Sequence, residues 1–189
     1  LCVDQHLFAV TGEGYEPRGE IQEIETTAEP LNLPHTGSEV PLGVQQLLTA
    51  SVLCNGATLG EDHGKWRIIG DPTEGALLVV ATKAGVSKHL LEAASEFIDE
   101  VPFDAERKMM TVVRREAEGN KAYVKGAPDV LLARCTHRMT SDGRIEPLSD
   151  QQREAIVVTN ASLAGERPWG NRLMGLLRRP ASPSLPSSF

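Results

Sequence analysis

Three short segments carry side chains suited to a shared chemistry. "DPTEGALL" (71–78) brings Glu74, "VPFDAERKMMTVV" (101–113) brings Phe103 and Lys108, and "YVKGAPD" (123–129) brings Lys125 and Gly126. Together they supply an aromatic face, cations for phosphates, a carboxylate able to accept from an exocyclic amine, and a glycine that admits close approach. A purine nucleotide asks for that set. Each segment also has a plainer reading. Glu74 stands three residues after Asp71, where a capping-box carboxylate sits. Phe103 reads as core, with "DAERK" a solvated turn. Lys125 reads as a charge at a strand end, and Gly126 with Pro128 as the shapers of a strand-to-helix turn.

Other chemistries find less support. A Walker A loop needs GxxxxGK followed by Ser or Thr, and "GEDHGKW" (60–66) is one residue short and ends in Trp. No GxGxxG follows a strand, so a dinucleotide site is not expected. The five histidines are scattered without an HExxH pattern, so no metal site is expected. There is no GxSxG elbow, and no catalytic residue is assigned. "TGEG" (11–14) reads as a turn.

The elements that must carry these residues alternate in type. Strands are expected at 5–11, 66–70, 97–103, 108–116 and 121–125, the last three as an antiparallel meander. Helices are expected from Leu42 to about Cys54, then at 71–85, 87–96 and 128–135, and from Asp150 to about Leu163. Asp71, Pro72 and Gly85 mark the ends of the second helix, while Ser149 and Gln152 form a capping box for the last. Residues 26–41, 56–65 and "TSDGRIEPL" (140–148) read as loop, the last also as a small hairpin. The fold class is α+β.

Composition narrows the function classes. The chain has 189 residues, enough for one sizeable core, and a formal net charge of −7, so no nucleic-acid partner is expected. Three separated cysteines give no disulfide framework and fit a reducing compartment. The longest apolar run, "ALLVVA" (76–81), is too short to span a bilayer. No signal peptide is visible and no Met begins the chain, which reads as a piece of a longer protein. From about Pro180 the chain is expected to be disordered, and residues 167–189 read as an atypical, partly disordered or non-native tail to a domain at 1–166.

"GDPTEGALL" (70–78), "FDAERKMMTVV" (103–113) and "VKGAPDVLL" (124–132), in that order, resemble the nucleotide-binding (N) domain of P-type cation-transporting ATPases, the calcium-pump-like type II branch above all. "LLTASVLCNGATL" (47–59) is similar to that family's preceding helix, and the resemblance covers residues 1–166. It implies a twisted, mostly antiparallel β-sheet flanked by helices. It also implies ATP as ligand, with Mg-ATP in the full-length pump. Phe103 would stack on adenine, and Lys125 would line the pocket floor with Gly126 allowing close approach. Glu74 would accept from the adenine amine, and Lys108 would lie near the phosphates. The resemblance further implies a place at the cytoplasmic face of a membrane, with the pump's phosphorylation and actuator domains as partners and a monomer for the isolated domain.

Two departures matter. Ala105 stands where the calcium-pump pattern carries an arginine, and the stretch "GERPWGNRLMGLLRR" (165–179) departs from the family's motif after the final helix. No arginine is therefore assigned to the phosphates. The sequence also has no DKTGT motif, the segment whose aspartate the family phosphorylates. The expectation is an ATP-binding domain that does not turn ATP over alone. The rivals are an interaction module that binds no nucleotide and a self-contained phosphotransferase.

Overall fold

In the computed structural model, which describes residues 1–24 and 40–165, helix α1 (Leu42–Leu53) serves two parts of the core. Val44, Leu48 and Val52 recur every fourth residue, the spacing that returns side chains to one helix face. All three are buried in a cluster with Phe8, Leu78 and Ala81. At the helix end, Leu53 and Cys54 turn to a second cluster with Met110, Val112 and Tyr123. Full burial of a Leu or Val contributes about 1.5–3 kcal/mol, so α1 anchors both clusters.

Among the described residues the strands pair only as antiparallel neighbours. β1 (Cys2–Val3), β2 (His6–Val10) and β3 (Ile21–Ile24) form one sheet, and β4 (Thr58–Asp62) pairs with β5 (Lys65–Ile69). β6 (Glu96–Asp104), β7 (Met109–Glu116) and β8 (Gly119–Gly126) form the expected meander, and β9 (His137–Met139) pairs with β10 (Ile145–Pro147). Helices α2 (Pro72–Lys83), α3 (Lys88–Ala94), α4 (Pro128–Leu132) and α5 (Asp150–Gly165) complete the described α+β fold. Its strands divide into four small sheets by hydrogen bonding.

One expected loop is a hairpin instead. Residues 56–65 contain β4, which pairs with β5 from Thr58↔Ile69 to Asp62↔Lys65. The tip is His63–Gly64, with φ of +50° and +75°. Positive φ at both central residues suits a tight two-residue hairpin turn. The segment that falls short of a phosphate loop is therefore a hairpin tip. β1 and β3 were not expected either, and "TSDGRIEPL" takes its hairpin form as β9–β10. The expected loop at 26–39 and the tail at 167–189 lie outside the described residues.

The start of α2 is held firmly. Asp71 Oδ1 accepts the backbone N–H groups of Thr73 at 2.8 Å and Glu74 at 3.1 Å. The Glu74 N–H is the largest cause that holds the Asp71 carboxyl below its usual range. Pro72 occupies the first turn, Lys83 the last, and Gly85 (φ +76°) follows the helix end. Gly75 lets the helix lie on β5, since a Cβ there would come within 2.6 Å of the Ile68 side chain. α5 begins with the expected box: Gln152 N–H donates to Ser149 Oγ at 3.3 Å, and Ser149 N–H donates to Gln152 Oε1 at 2.9 Å. Among the described residues no helix is long and apolar enough to cross a membrane.

Candidate nucleotide site

The Glu74 carboxylate does not close a capping box. It leaves the helix it begins: Oε1 accepts from Lys125 Nζ at 2.6 Å, and Oε2 accepts the Gly56 N–H at 2.9 Å. Two distant segments thus meet at one carboxylate. The side chains are 19% exposed for Glu74 and 27% for Lys125, so the pair is sheltered but reachable. Lys125 lies opposite Met110 in the β7–β8 ladder, which places it on the sheet face that packs against Leu53 and Cys54. Burial pushes the Cys54 thiol up, and the Lys125 cation partly opposes that shift. Lys125 is a strand-end charge, as the plain reading has it, but one with a specific partner.

Phe103 is not core. It lies in β6 where the register shifts between Val101 and Asp104, and it is 63% exposed. β6 is exposed at every position but Ile98, so the ring stands in solvent as its neighbours do. The turn that follows is ordered by its own bonds. Asp104 Oδ1 accepts the Arg107 N–H at 2.7 Å, and Asp104 O accepts the Lys108 N–H at 2.7 Å. Lys108 adopts φ +54° there, a left-handed conformation that non-glycine residues rarely take. Its side chain is exposed and has no hydrogen bond or ion pair among the described residues.

Gly126 joins this turn to β8. Lys108 O accepts the Ala127 N–H at 3.0 Å. A Cβ on Gly126 would sit 2.5 Å from that same carbonyl oxygen and 2.6 Å from Met109 Cβ. The neighbouring strand therefore demands a glycine there, whatever approaches from outside. The fold brings Glu74 and Lys125 together directly, and Lys108 and Gly126 directly. Phe103 is linked to them through the backbone of the turn.

The sequence offers no signal for Gly56, which falls in a stretch expected to be loop and contributes only a backbone N–H. A cavity of about 470 Å³ lies elsewhere, lined by Val52, Trp66, Leu78, Lys88 and others. None of Glu74, Phe103, Lys108, Lys125 and Gly126 borders it. Among the described residues no group of three or more His, Cys, Asp or Glu side chains converges as a metal cage.

Comparison with known proteins identifies the family. Residues 43–186 match the family model described as P-type ATPase, cytoplasmic domain N. The calcium-transporting ATPase of Bacillus subtilis is 39% identical over 162 residues, 83% of this chain and 17% of that protein. The cation-transporting ATPase pma1 of Synechocystis is 34% identical over 138 residues, 73% of this chain and 15% of that protein. Calcium-transporting ATPase 1 of Bacillus cereus is 40% identical over 124 residues, 65% of this chain and 13% of that protein. This chain therefore spans less than a fifth of each of those relatives. With three motif segments folded against one another and a family match over most of its length, the chain belongs to the cytoplasmic N-domain family of P-type ATPases.

Proposed function

We propose that this chain holds ATP for a P-type cation pump and presents the γ-phosphate to an aspartate in a separate phosphorylation domain. The observation that carries the reading is the Glu74–Lys125 pair, 2.6 Å apart and partly sheltered, close to the turn that bears Phe103 and Lys108. Each Glu74 oxygen accepts one hydrogen bond from the chain and keeps lone-pair capacity for a purine amine. The exposed Phe103 ring offers a stacking face, and bases stack on such rings for about 1–3 kcal/mol each. The exposed Lys108 ammonium suits phosphate oxygens. Lys125 lines the floor, and Gly126, which lacks a Cβ, lets the end of β8 close against Lys108 and Met109 at the edge of the site.

The parent protein's activity is part of this proposal. Relatives named as calcium- or cation-transporting ATPases support ATP hydrolysis coupled to cation transport. In such a pump ATP is bound with magnesium, the domain sits at the cytoplasmic face of the membrane, and the phosphorylation and actuator domains are its partners. The sequence has no DKTGT segment, so in-line transfer has no aspartate acceptor within these residues. The isolated chain binds ATP as a monomer, with Kd on the order of 0.1–1 mM, about −4 to −5.5 kcal/mol.

The test is a two-dimensional NMR titration of the labelled chain with ATP and then GTP. Shifts at Glu74, Phe103, Lys108, Lys125 and Gly126, larger for ATP, are the expected result. No shift up to about 10 mM ATP, where a site of about −4 kcal/mol is mostly filled, would overturn the reading.

A further inference from the structure

We propose that Asn55 is a positioning residue that aims the Glu74 carboxylate and thereby sets the site's preference for adenine over guanine. The inference rests on the nucleotide reading above. Asn55 is 7% exposed, and its side-chain amide is almost wholly committed. Oδ1 accepts the Ala57 N–H at 2.9 Å. Nδ2 donates to Ser51 O at 3.2 Å and to Glu74 O at 2.9 Å. The first of these donations ties Asn55 to the end of α1. The second ties it to the first turn of α2.

Between Asn55 and Ala57 lies Gly56, whose N–H donates to Glu74 Oε2. One three-residue turn therefore grips Glu74 twice, its main chain through Asn55 and its carboxylate through Gly56. The turn is itself pinned from α3, where Lys88 Nζ donates to Ala57 O at 2.7 Å and to Asn55 O at 3.1 Å. Lys125 Nζ holds the other carboxylate oxygen. The carboxylate plane is thus set from two sides.

Orientation decides selectivity. Adenine presents an amine donor where guanine presents a carbonyl acceptor. A carboxylate held in place accepts from the first and repels the second, because an unpaired acceptor facing an acceptor costs free energy. A carboxylate free to swing away discriminates poorly. Only an amide fits at position 55, since the site asks for one acceptor and two donors on one planar group. An aspartate there would face two carbonyl oxygens with no proton to give.

The experiment is an NMR titration of the full chain with ATP and GTP, repeated for Asn55→Ala, Glu74→Ala and the double variant. Asn55→Ala is expected to weaken ATP binding about fivefold while GTP binding holds or tightens as the clash with its carbonyl is relieved, so the ATP-to-GTP ratio narrows. In the Glu74→Ala background, Asn55→Ala is expected to change neither nucleotide. Equal losses for ATP and GTP, or the same loss with Glu74 absent, would mean Asn55 serves the fold alone and would overturn the proposal. The unaltered chain gives an independent check should Asn55→Ala fail to fold. There the Asn55 side-chain amide and the Gly56 amide should follow ATP with the midpoint seen at Lys125. If both stay still while Phe103 and Lys125 move, the positioning role falls and the nucleotide reading stands. If nothing moves with ATP, both fall.

Discussion

Lys125 Nζ lies 2.6 Å from Glu74 Oε1, although 51 residues separate the two along the chain. β8 delivers the cation and the first turn of α2 delivers the carboxylate. Removing either partner leaves the other charge partly buried without its mate. Because both remain partly exposed, the cost is well below that of a fully buried pair. Lys125→Met is expected to lower stability by about 1 kcal/mol and to weaken ATP binding. Combined with Glu74→Gln, the losses should fall short of their sum by about 0.5 kcal/mol or more. Urea denaturation of the two single variants and the double variant tests this, and strictly additive losses would show the side chains to act independently.

Phe103 should separate binding from folding. It is 63% exposed, so its loss removes little buried surface. Phe103→Ala is expected to leave the urea midpoint almost unchanged, within about 0.5 kcal/mol. ATP affinity should drop about tenfold, or ~1.4 kcal/mol, as one base-stacking face is lost. A calorimetric titration beside a denaturation curve measures both.

Gly126→Ala should do the reverse of Phe103→Ala in the absence of any ligand. The new methyl would press on Lys108 O and Met109 Cβ at 2.5 and 2.6 Å. The start of β7 must shift, at a cost of about 1–3 kcal/mol. Thermal denaturation without nucleotide should already show the loss. A stability equal to the parent's would mean that the strand pair yields freely.

Acid sensitivity should be traceable in part to one turn. Donation from the Thr140 hydroxyl, then from Arg144, holds Asp142 down to about 2 against its ordinary 3.8. A carboxyl lowered in the folded state stabilises fully above the unfolded value. That contribution is lost as pH falls through the window from about 3.8 to about 2. Asp142→Asn should therefore flatten the decline in stability between pH 4 and 2, read as the urea midpoint against pH. Asp71 is lowered as well, first by the Glu74 N–H, and Asp71→Asn should remove a further part of the same slope.

How much of this was legible in the sequence differs by residue. The ends of α2 were readable because Asp71, Pro72 and Gly85 act through local chemistry, and the meander was readable because β6, β7 and β8 follow one another with short turns. β4 was not, because "TLGED" has few β-formers and gains its partner only from the His63–Gly64 turn. Glu74 illustrates the limit of spacing. Its place after Asp71 suits a cap, yet Lys125 and Gly56 offer it stronger partners that no local pattern reveals. Asn55 and Gly56 escaped for a related reason, since what they contribute is an amide plane and a backbone N–H arranged by tertiary contacts. Phe103 misleads in the opposite direction: an aromatic at the end of a strand-like run suggests core, yet β6 is exposed along nearly its whole length and the ring stands in solvent with it.

The two clusters that share α1 give the site an unusual dependence on the interior. Glu74 rides on α2, whose Leu78 and Ala81 sit in one cluster, whereas Lys125 rides on β8, whose Tyr123 sits in the other. The 2.6 Å contact between them is therefore set by two halves of the core that a single helix joins. Trimming Val52 on one face or Leu53 on the other would shift that contact without touching a ligand, and affinity for ATP would report how well the interior is packed.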